Sequence, residues 1–443
     1  MPESGACKRI VITAWGSFGD IHPYMAVALE LKQRGHRPLI ATSSVYRDKI
    51  EGAGIGFHPM RPDLPPLGSK KAEEMIRRST HMREGPRYVL RDVLMAHARA
   101  SYEDALAAVN AEGGADLLIT HTVPPIASLV AETTGLRWVS SVLAPITFFS
   151  AYDPPTIPQF QALRNLLKLH PAVARIILGL GKRSTLSWSE PLRELRRELG
   201  LPAGKNPFFE GQHSPTLVLA LFSRVIAEVQ PDYPPNTLIT GFPFYDRRDE
   251  QPPAPELLRF LEQGDQPIVF TLGSTAAWIG RDFYRTSIEV ARRLKRRALL
   301  LVGDDSNLPG VELPDGIAAF DYAPHSLVMP RASVVVHQGG IGTTGQALRA
   351  GRPMLVVPFG QDQPDNARRC VELGVGRTLW RDHYTISRVV NELSELLENP
   401  AYREQAAKVG QQVRAEDGTN RACDAIEEIL GERKDARSKV VVR

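Results

Sequence analysis

His337-Gln338-Gly339-Gly340-Ile341-Gly342-Thr343-Thr344, continued by Pro358-Phe359-Gly360-Gln361-Asp362-Gln363-Pro364-Asp365-Asn366, is the stretch on which the reading of this chain turns. The apolar run 332–336 reads as a buried strand that empties directly into the glycines, and 343–350 reads as the helix that follows. Strand, glycine-rich turn and helix together present backbone N–H groups and a positive dipole end to an anion, most often a phosphate. A histidine stands at the entrance. Further on, the carboxylate and amide of Asp362 and Gln363 suit sugar hydroxyls. The combination fits the diphosphate of a sugar nucleotide.

Working outward, the same alternation recurs. Residues 9–15 form an apolar run, followed by Gly16-Ser17-Phe18-Gly19-Asp20 and a helical pattern over 23–34 that Gly35 closes. Strands are predicted at 38–42, 117–120 and 138–142, then again at 267–272, 298–302, 333–336 and 353–357, with helices between them. Strands alternating with helices imply parallel, doubly wound sheets. The fold class is therefore α/β, with two Rossmann-like halves in tandem. The expected division is 1–235, 236–415 and a closing helix with a tail over 416–443, the last packing back towards the first half.

Composition narrows the classes. The chain has 443 residues, 43% of them hydrophobic and 23% charged, which suits a folded protein of two domains. Lys and Arg number 54 against 50 Asp and Glu, a balance that argues against nucleic acid as a partner. The basic runs 292–297 and 193–197 read as solvated helix faces, with peripheral contact to a membrane as the other reading. Cys7, Cys370 and Cys423 are scattered and odd in number, without metal or disulfide spacing, which points to a reducing cytoplasm. Residues 1–8 lack the apolar core of a signal peptide, and no apolar run reaches the roughly 20 residues of a membrane span.

Between 144 and 212 the pattern loosens into an insert rich in aromatic and aliphatic residues. It carries Phe148, Phe149, Tyr152, Ile157, Phe160, Leu163, Leu166, Leu167, Ile176, Ile177, Leu178 and Trp188, interrupted by prolines. Such an insert either builds a binding loop with short helices of its own or adds a second layer of core.

Taken with their spacing, Tyr322-Ala323-Pro324-His325, HQGGIGTT and PFGQDQPDNA resemble the nucleotide-sugar-dependent glycosyltransferases of family 1, which have the GT-B fold of two facing Rossmann-like domains and a cleft between. The GSFGDIHP opening is similar to the bacterial lipid and antibiotic branch and to the sterol glucosyltransferases. The resemblance runs over nearly the whole chain and is weakest over 69–102 and 144–212. It implies that Tyr322 stacks on the base and that His337 donates to the diphosphate. Gly339, Gly340, Gly342 and Thr343 would hold the phosphates, and Ser274 would reach them from an earlier strand end. Asp362 and Gln363 would grip the transferred hexose.

For the reaction, the resemblance implies a general base, His22 in GDIHP, whose place near a helix N-terminus would keep the imidazole neutral. Two departures stand out. Where many relatives have an aspartate after the fourth strand, this chain has His121 or Thr120, leaving Asp20 as the nearest carboxylate. Where many carry a ribose-binding glutamate, this chain has Gly345, with Gln346 beside it. The implied activity is inverting transfer of a hexose to a hydroxyl of a lipophilic small molecule, without metal or cofactor. UDP-glucose is the first donor. The alternatives are a TDP-sugar rhamnosyltransferase acting on a lipid or polyketide, and a nucleotide-sugar epimerase or hydrolase.

Overall fold

The computed structural model describes residues 7–66, 68–123, 125–156, 164–246, 252–303, 307–308 and 313–431, with backbone alone at 127, 164, 165, 274 and 275. Ile157, Phe160 and Leu163 of the insert, part of the proline-rich patch at 251–255 and the tail after 431 lie outside the described residues.

The first half supplies β1 (Arg9–Thr13), β2 (Arg37–Thr42), β3 (Gly56–Pro59), β4 (Leu117–His121), β5 (Trp138–Val142), β6 (Val218–Ala220) and β7 (Thr237–Ile239). The second supplies β8 (Ile268–Thr271), β9 (Ala298–Leu301), β10 (Ile317–Phe320), β11 (Val334–His337), β12 (Met354–Val356) and β13 (Gly376–Thr378). Among the described residues these make two parallel sheets, ordered β3-β2-β1-β4-β5-β6-β7 and β10-β9-β8-β11-β12-β13. Helices cover both faces of each, so Ile10, Ile12, Val269 and Val335 are sealed from water, as parallel strands require. Burying each such side chain is worth about 1.5–3 kcal/mol.

The strand order reverses between β1 and β4 in the first sheet, and between β8 and β11 in the second. A doubly wound sheet opens a crevice at that reversal, beyond the carboxyl ends of the strands. The helices bordering those crevices are α1 (Phe18–Gln33) and, following α2 (Lys70–Ser79), α3 (Arg164–Leu169) and α4 (Pro171–Ser184), α5 (Ile341–Ala350). The start of α1 packs against α5 and against the short helix Gly273–Ala276, so the two crevices face each other. After α5 come α6 (Gln363–Glu372), α7 (Pro400–Ala415) and α8 (Gly418–Gly431).

The first helix begins earlier than its pattern suggests. Ser17 caps α1: its hydroxyl accepts from Gly19 N, and Asp20 reaches back to Ser17 N at 2.7 Å. Ser-x-x-Asp is thus a working capping box. Pro23 lies inside the helix, where it removes one hydrogen bond, and does not start it.

The chain passes between the sheets twice. It leaves β7, which pairs with β6, so the first sheet extends past the expected division at 235. It returns between α7 and α8, and α8 lays Ala422, Cys423, Ile426 and Ile429 into the first sheet's core. Arg34 clamps this helix through Asp424 at 2.6 Å and Glu427 at 2.8 Å. The two crossings touch: a Cβ on Gly418 would stand 2.5 Å from the carbonyl carbon and oxygen of Gly241.

That contact is testable. Ala is the better helix former, so propensity alone favours Gly418→Ala. Because the clash is with backbone, the substitution should instead destabilise the fold by about 1–3 kcal/mol in urea denaturation. A more stable variant would contradict the tight crossing.

Candidate functional site

The cradle in the second half forms at the end of β11. Gly340 caps α5, and Ile341, Gly342 and Thr343 make its first turn, whose amides have no partner within the helix. Gly339 turns the chain with φ +91°, and a Cβ there would meet Val356 at 2.7 Å and the Gln363 carbonyl oxygen at 3.1 Å. Only glycine fits that bend.

Asn366 joins this turn to the carboxylate. Its Nδ2 donates to the Gly339 carbonyl oxygen at 2.9 Å and to Asp362 Oδ2 at 2.7 Å. Gln363 folds back so that Oε1 accepts from Phe359 N at 2.7 Å and Gly360 N at 3.2 Å, leaving the amide nitrogen for a ligand. Gly340, Gly342, Thr343, Asp362 and Gln363 all line one cavity, and Gly339 lies beneath it.

Three expected placements change: His337, Tyr322 and His22 lie outside the cavity lining. His337 does not line the cavity. Its ring is wholly buried: Nδ1 accepts from Gly339 N at 3.1 Å and Nε2 lies 3.4 Å from Met354 Sδ. Burial lowers its pKa to about 3, so the ring is neutral and its work is to hold the glycine turn. Gln346 is engaged with Asp246 at 3.5 Å and Arg349 at 2.8 Å, away from the cavity. Gly345 leaves room for the Phe242 ring, which a Cβ would meet at 3.1 Å, so a longer side chain there would press on that ring.

Tyr322 follows β10, is 53% exposed and does not line the cavity. The Ser274 backbone opens the short helix after β8, and its side chain lies outside the described residues.

The third change is on the opposite wall. His22 sits four residues into α1, about 6 Å along its axis from Phe18, with its ring 5.3 Å from Phe18 and 5.0 Å from Tyr245. It is absent from the cavity lining, whereas Gly16, Ser17, Phe18, Gly19 and Asp20 are all part of it. The helix starts at residue 18 and not at 23, so the histidine falls one turn behind the end that faces the cleft. Asp20 shapes the turn through Ser17, as above, and also presents its carboxylate to the cavity.

His121, at the end of β4, lines the same cavity. Its Nδ1 is buried without a hydrogen-bond partner. Burial holds the imidazole below its ordinary pKa, while the charge of Asp20 acts the other way. Thr120, by contrast, is buried outside the cavity lining, its backbone carbonyl accepting from Ser141 Oγ at 2.8 Å.

The cavity is about 710 Å³ and continues from these polar ends into an apolar chamber. Phe149, Leu167, Ile177, Leu178 and Trp188 of the insert form one wall, so that part of the insert builds the chamber, while Phe148 stacks on Tyr233 at 3.9 Å. The sequence reading overlooked the facing wall, where Ala72, Met75, Ile76 and Ser79 of α2 line the chamber. Their i, i+3, i+4, i+7 spacing was the available signal. It overlooked Gln338 as well, which reaches the cavity with Oε1 buried and unpartnered, and it gave Asn366 no role, although four residues separate it from Asp362 on one helical face.

The chain is similar to known proteins in sequence and in fold. Residues 10–114 match the glycosyltransferase family 28 N-terminal domain, and residues 297–429 match the erythromycin biosynthesis protein CIII-like C-terminal domain. O-mycaminosyltylonolide 6-deoxyallosyltransferase of Streptomyces fradiae is 30% identical over 95% of this chain and 97% of its own. A sterol 3-beta-glucosyltransferase of Leptosphaeria maculans is 27% identical over 97% of this chain, which spans 29% of that longer protein. The solved structure of the spinosyn rhamnosyltransferase SpnG, complexed with thymidine diphosphate, aligns with a TM-score of 0.65 at 16% identity, covering 95% of this chain and 100% of its own.

The buried carboxyl provides a test. Burial pushes the Asp362 pKa from 3.8 up to about 7, with the Asn366 hydrogen bond opposing and the Asp20 charge assisting. Between those values the folded chain keeps a proton that the unfolded chain has released, so stability is lost as pH rises through that window. Asp362→Asn should lose less stability than the parent between about pH 5 and about pH 8, by on the order of 1 kcal/mol once screening by water in the cleft is allowed for. Equal losses in urea titrations would refute the assignment.

Proposed function

Because the chain belongs to the family 1 glycosyltransferases with the GT-B fold, we propose that it moves a hexose from a pyrimidine nucleoside diphosphate to a hydroxyl group of a lipophilic acceptor, with inversion. The observation that carries this reading is one continuous cavity, bordered by the turn after β1, the cradle after β11 and an apolar chamber. The first turn of α5 would receive the diphosphate, whose charge grows as the glycosidic bond breaks, so its fixed amides favour the transition state. Asp362 and the free amide of Gln363 would hold the hexose, and Tyr322 would cover the base.

The acceptor proton goes to Asp20 in this scheme, in place of His22. The acceptor oxygen then bonds to the anomeric carbon. The bond to the diphosphate oxygen breaks, its electron pair leaving with the diphosphate, and an α-linked donor yields a β-glycoside. His121 stands behind as a neutral imidazole within electrostatic reach of Asp20. An apolar chamber suits a sterol, polyketide or hydroxylated acyl chain, and it disfavours epimerisation or hydrolysis, which need no such space.

UDP-glucose is the first donor. A thymidine-diphosphate 6-deoxyhexose is the second, favoured by the 6-deoxyallosyltransferase relative and by the thymidine diphosphate in the rhamnosyltransferase structure. Incubation with UDP-glucose, TDP-glucose and TDP-rhamnose, each with and without lipophilic alcohols, tests the whole reading. Diphosphate release that depends on the acceptor supports it; release without acceptor points to hydrolysis.

The base assignment separates two neighbours on one helix. Asp20→Asn should lower kcat by about 100-fold or more, the usual worth of a general base, with donor affinity retained. His22→Phe, which keeps the ring packing, should change kcat less than about tenfold. The reverse pattern would return the role to His22.

A further inference from the structure

The basic runs that first suggested a charged surface are paired in part. Arg292 and Arg293 pair with Glu289, Arg193 and Arg197 with Glu190, and Arg196 with Glu132. A different surface has both the charge and the exposed hydrocarbon. From Pro154 to Ser189 the sequence holds five Lys and Arg residues and no Asp or Glu. Within it, α3 and α4 expose Leu169 (70%), Ile176 (65%) and Leu180 (64%) to solvent.

We propose that this outer face of α3 and α4 docks on an anionic phospholipid surface. Ile176 and Leu180 lie four residues apart, one turn of a single helical face, and Leu169 leads into it from the preceding helix. Arg175 and Arg183 border this stripe and form no ion pair among the described residues. Arg175 is held against Tyr152 by a 2.9 Å hydrogen bond to its hydroxyl, while Lys182 turns the other way, over the Phe209 ring that lines the chamber. Of the cations here, Lys168 is paired, with Glu372 at 3.1 Å. An apolar stripe bordered by unneutralised cations is the pattern of an interfacial helix, and its charge is complementary to acidic headgroups. No helix among the described residues is long and apolar enough to cross a membrane, so the contact is a surface one.

The location gives the docking a purpose that rests on the proposed lipophilic acceptor. The opposite side of α4 presents Ile177, Leu178 and Gly181 to the chamber. One helix therefore separates the lipid-facing stripe from the acceptor space, and a membrane-borne alcohol would have a short path between them.

Flotation of the full chain with phosphatidylglycerol-containing vesicles and with pure phosphatidylcholine vesicles tests the surface. The expected result is recovery with the anionic vesicles that weakens with salt. The triple variant Leu169→Ser, Ile176→Ser, Leu180→Ser should lose at least about tenfold in partitioning, and Arg175→Gln with Arg183→Gln should lose the preference for anionic lipid. Neither variant touches the cavity lining, so turnover of a water-soluble acceptor should stay as in the parent. Absence of flotation, flotation unaffected by both variants, or a dimer in light scattering that the triple variant dissolves would each overturn the proposal. Flotation is read without substrate, so failure of the glycosyl-transfer reading would appear separately, in the diphosphate assay.

Discussion

Two passages of one chain between two sheets, lying against each other, set the geometry on which everything else depends. The first leaves β7 through Gly241 and Phe242, and the second returns through Glu416 to Gly418. Glu416 ties the second passage to the loop after β6, its Oε1 accepting from Ser223 Oγ at 2.9 Å and Arg224 N at 3.2 Å. Burial raises the pKa of that carboxyl, a cost the two donors offset. Phe242 then lies flat against Gly345 of α5, so the crossing directly braces the helix whose first turn forms the anion cradle. The two crevices can face each other because the chain is pinned where it crosses, and a catalytic arrangement spread over two domains requires just such a fixed spacing.

A second tie acts on the acceptor side. Asp365 is fully buried in the first turn of α6, and its carboxylate accepts from Arg369 Nε at 2.8 Å and Arg368 Nη2 at 3.1 Å. It also accepts from Thr156 N of the insert at 2.9 Å, while Asp153 pairs with both arginines. Two carboxylates face two guanidiniums here in a nearly dry setting, with the more exposed Glu372 also against Arg368. Removing one partner from such a set costs about 3–5 kcal/mol, because a buried charge is left behind. Since α6 starts at Gln363, the cluster anchors the proposed sugar-holding residues to the loop that leads into the apolar chamber. Gln361 adds a third tie, donating to the Ser79 carbonyl oxygen at 2.6 Å where α2 ends.

The fold was legible where physics is local. Central strands such as β1, β4 and β11 are largely apolar runs because helices cover both their faces, and the sequence pattern marks each within a residue or two. The edge strands β3, β10 and β13, and short β6, were missed. A strand with one neighbour and few residues carries little hydrocarbon, and Gly56 and Pro59 of β3 read as turn residues. The cradle was legible because glycines, helix start and carboxylate–amide pair sit within one continuous segment. The α2 wall of the chamber was not, since its amphipathic spacing says that one face is covered without saying by what. The crossing at Gly241 and Gly418 was also hidden, because residues far apart in sequence meet there.

The three histidines near the cleft illustrate how little residue type decides by itself. His337, His22 and His121 are chemically identical, and each has a place in a motif or at a strand end. His337 lies at the last position of β11 facing inward, so its nitrogens are taken by Gly339 and Met354 and it holds the turn. His22 is carried one turn past the cleft by a helix that starts at Phe18, and its ring packs tilted between Phe18 and Tyr245. His121 alone reaches the cavity, at a strand end beside the sheet's reversal point, with a carboxylate within electrostatic range. What separates them is the phase of the element that carries each. That phase is set for α1 by the capping box of Ser17 and Asp20, so the residues that start the helix also bring Asp20, and not His22, to the cleft.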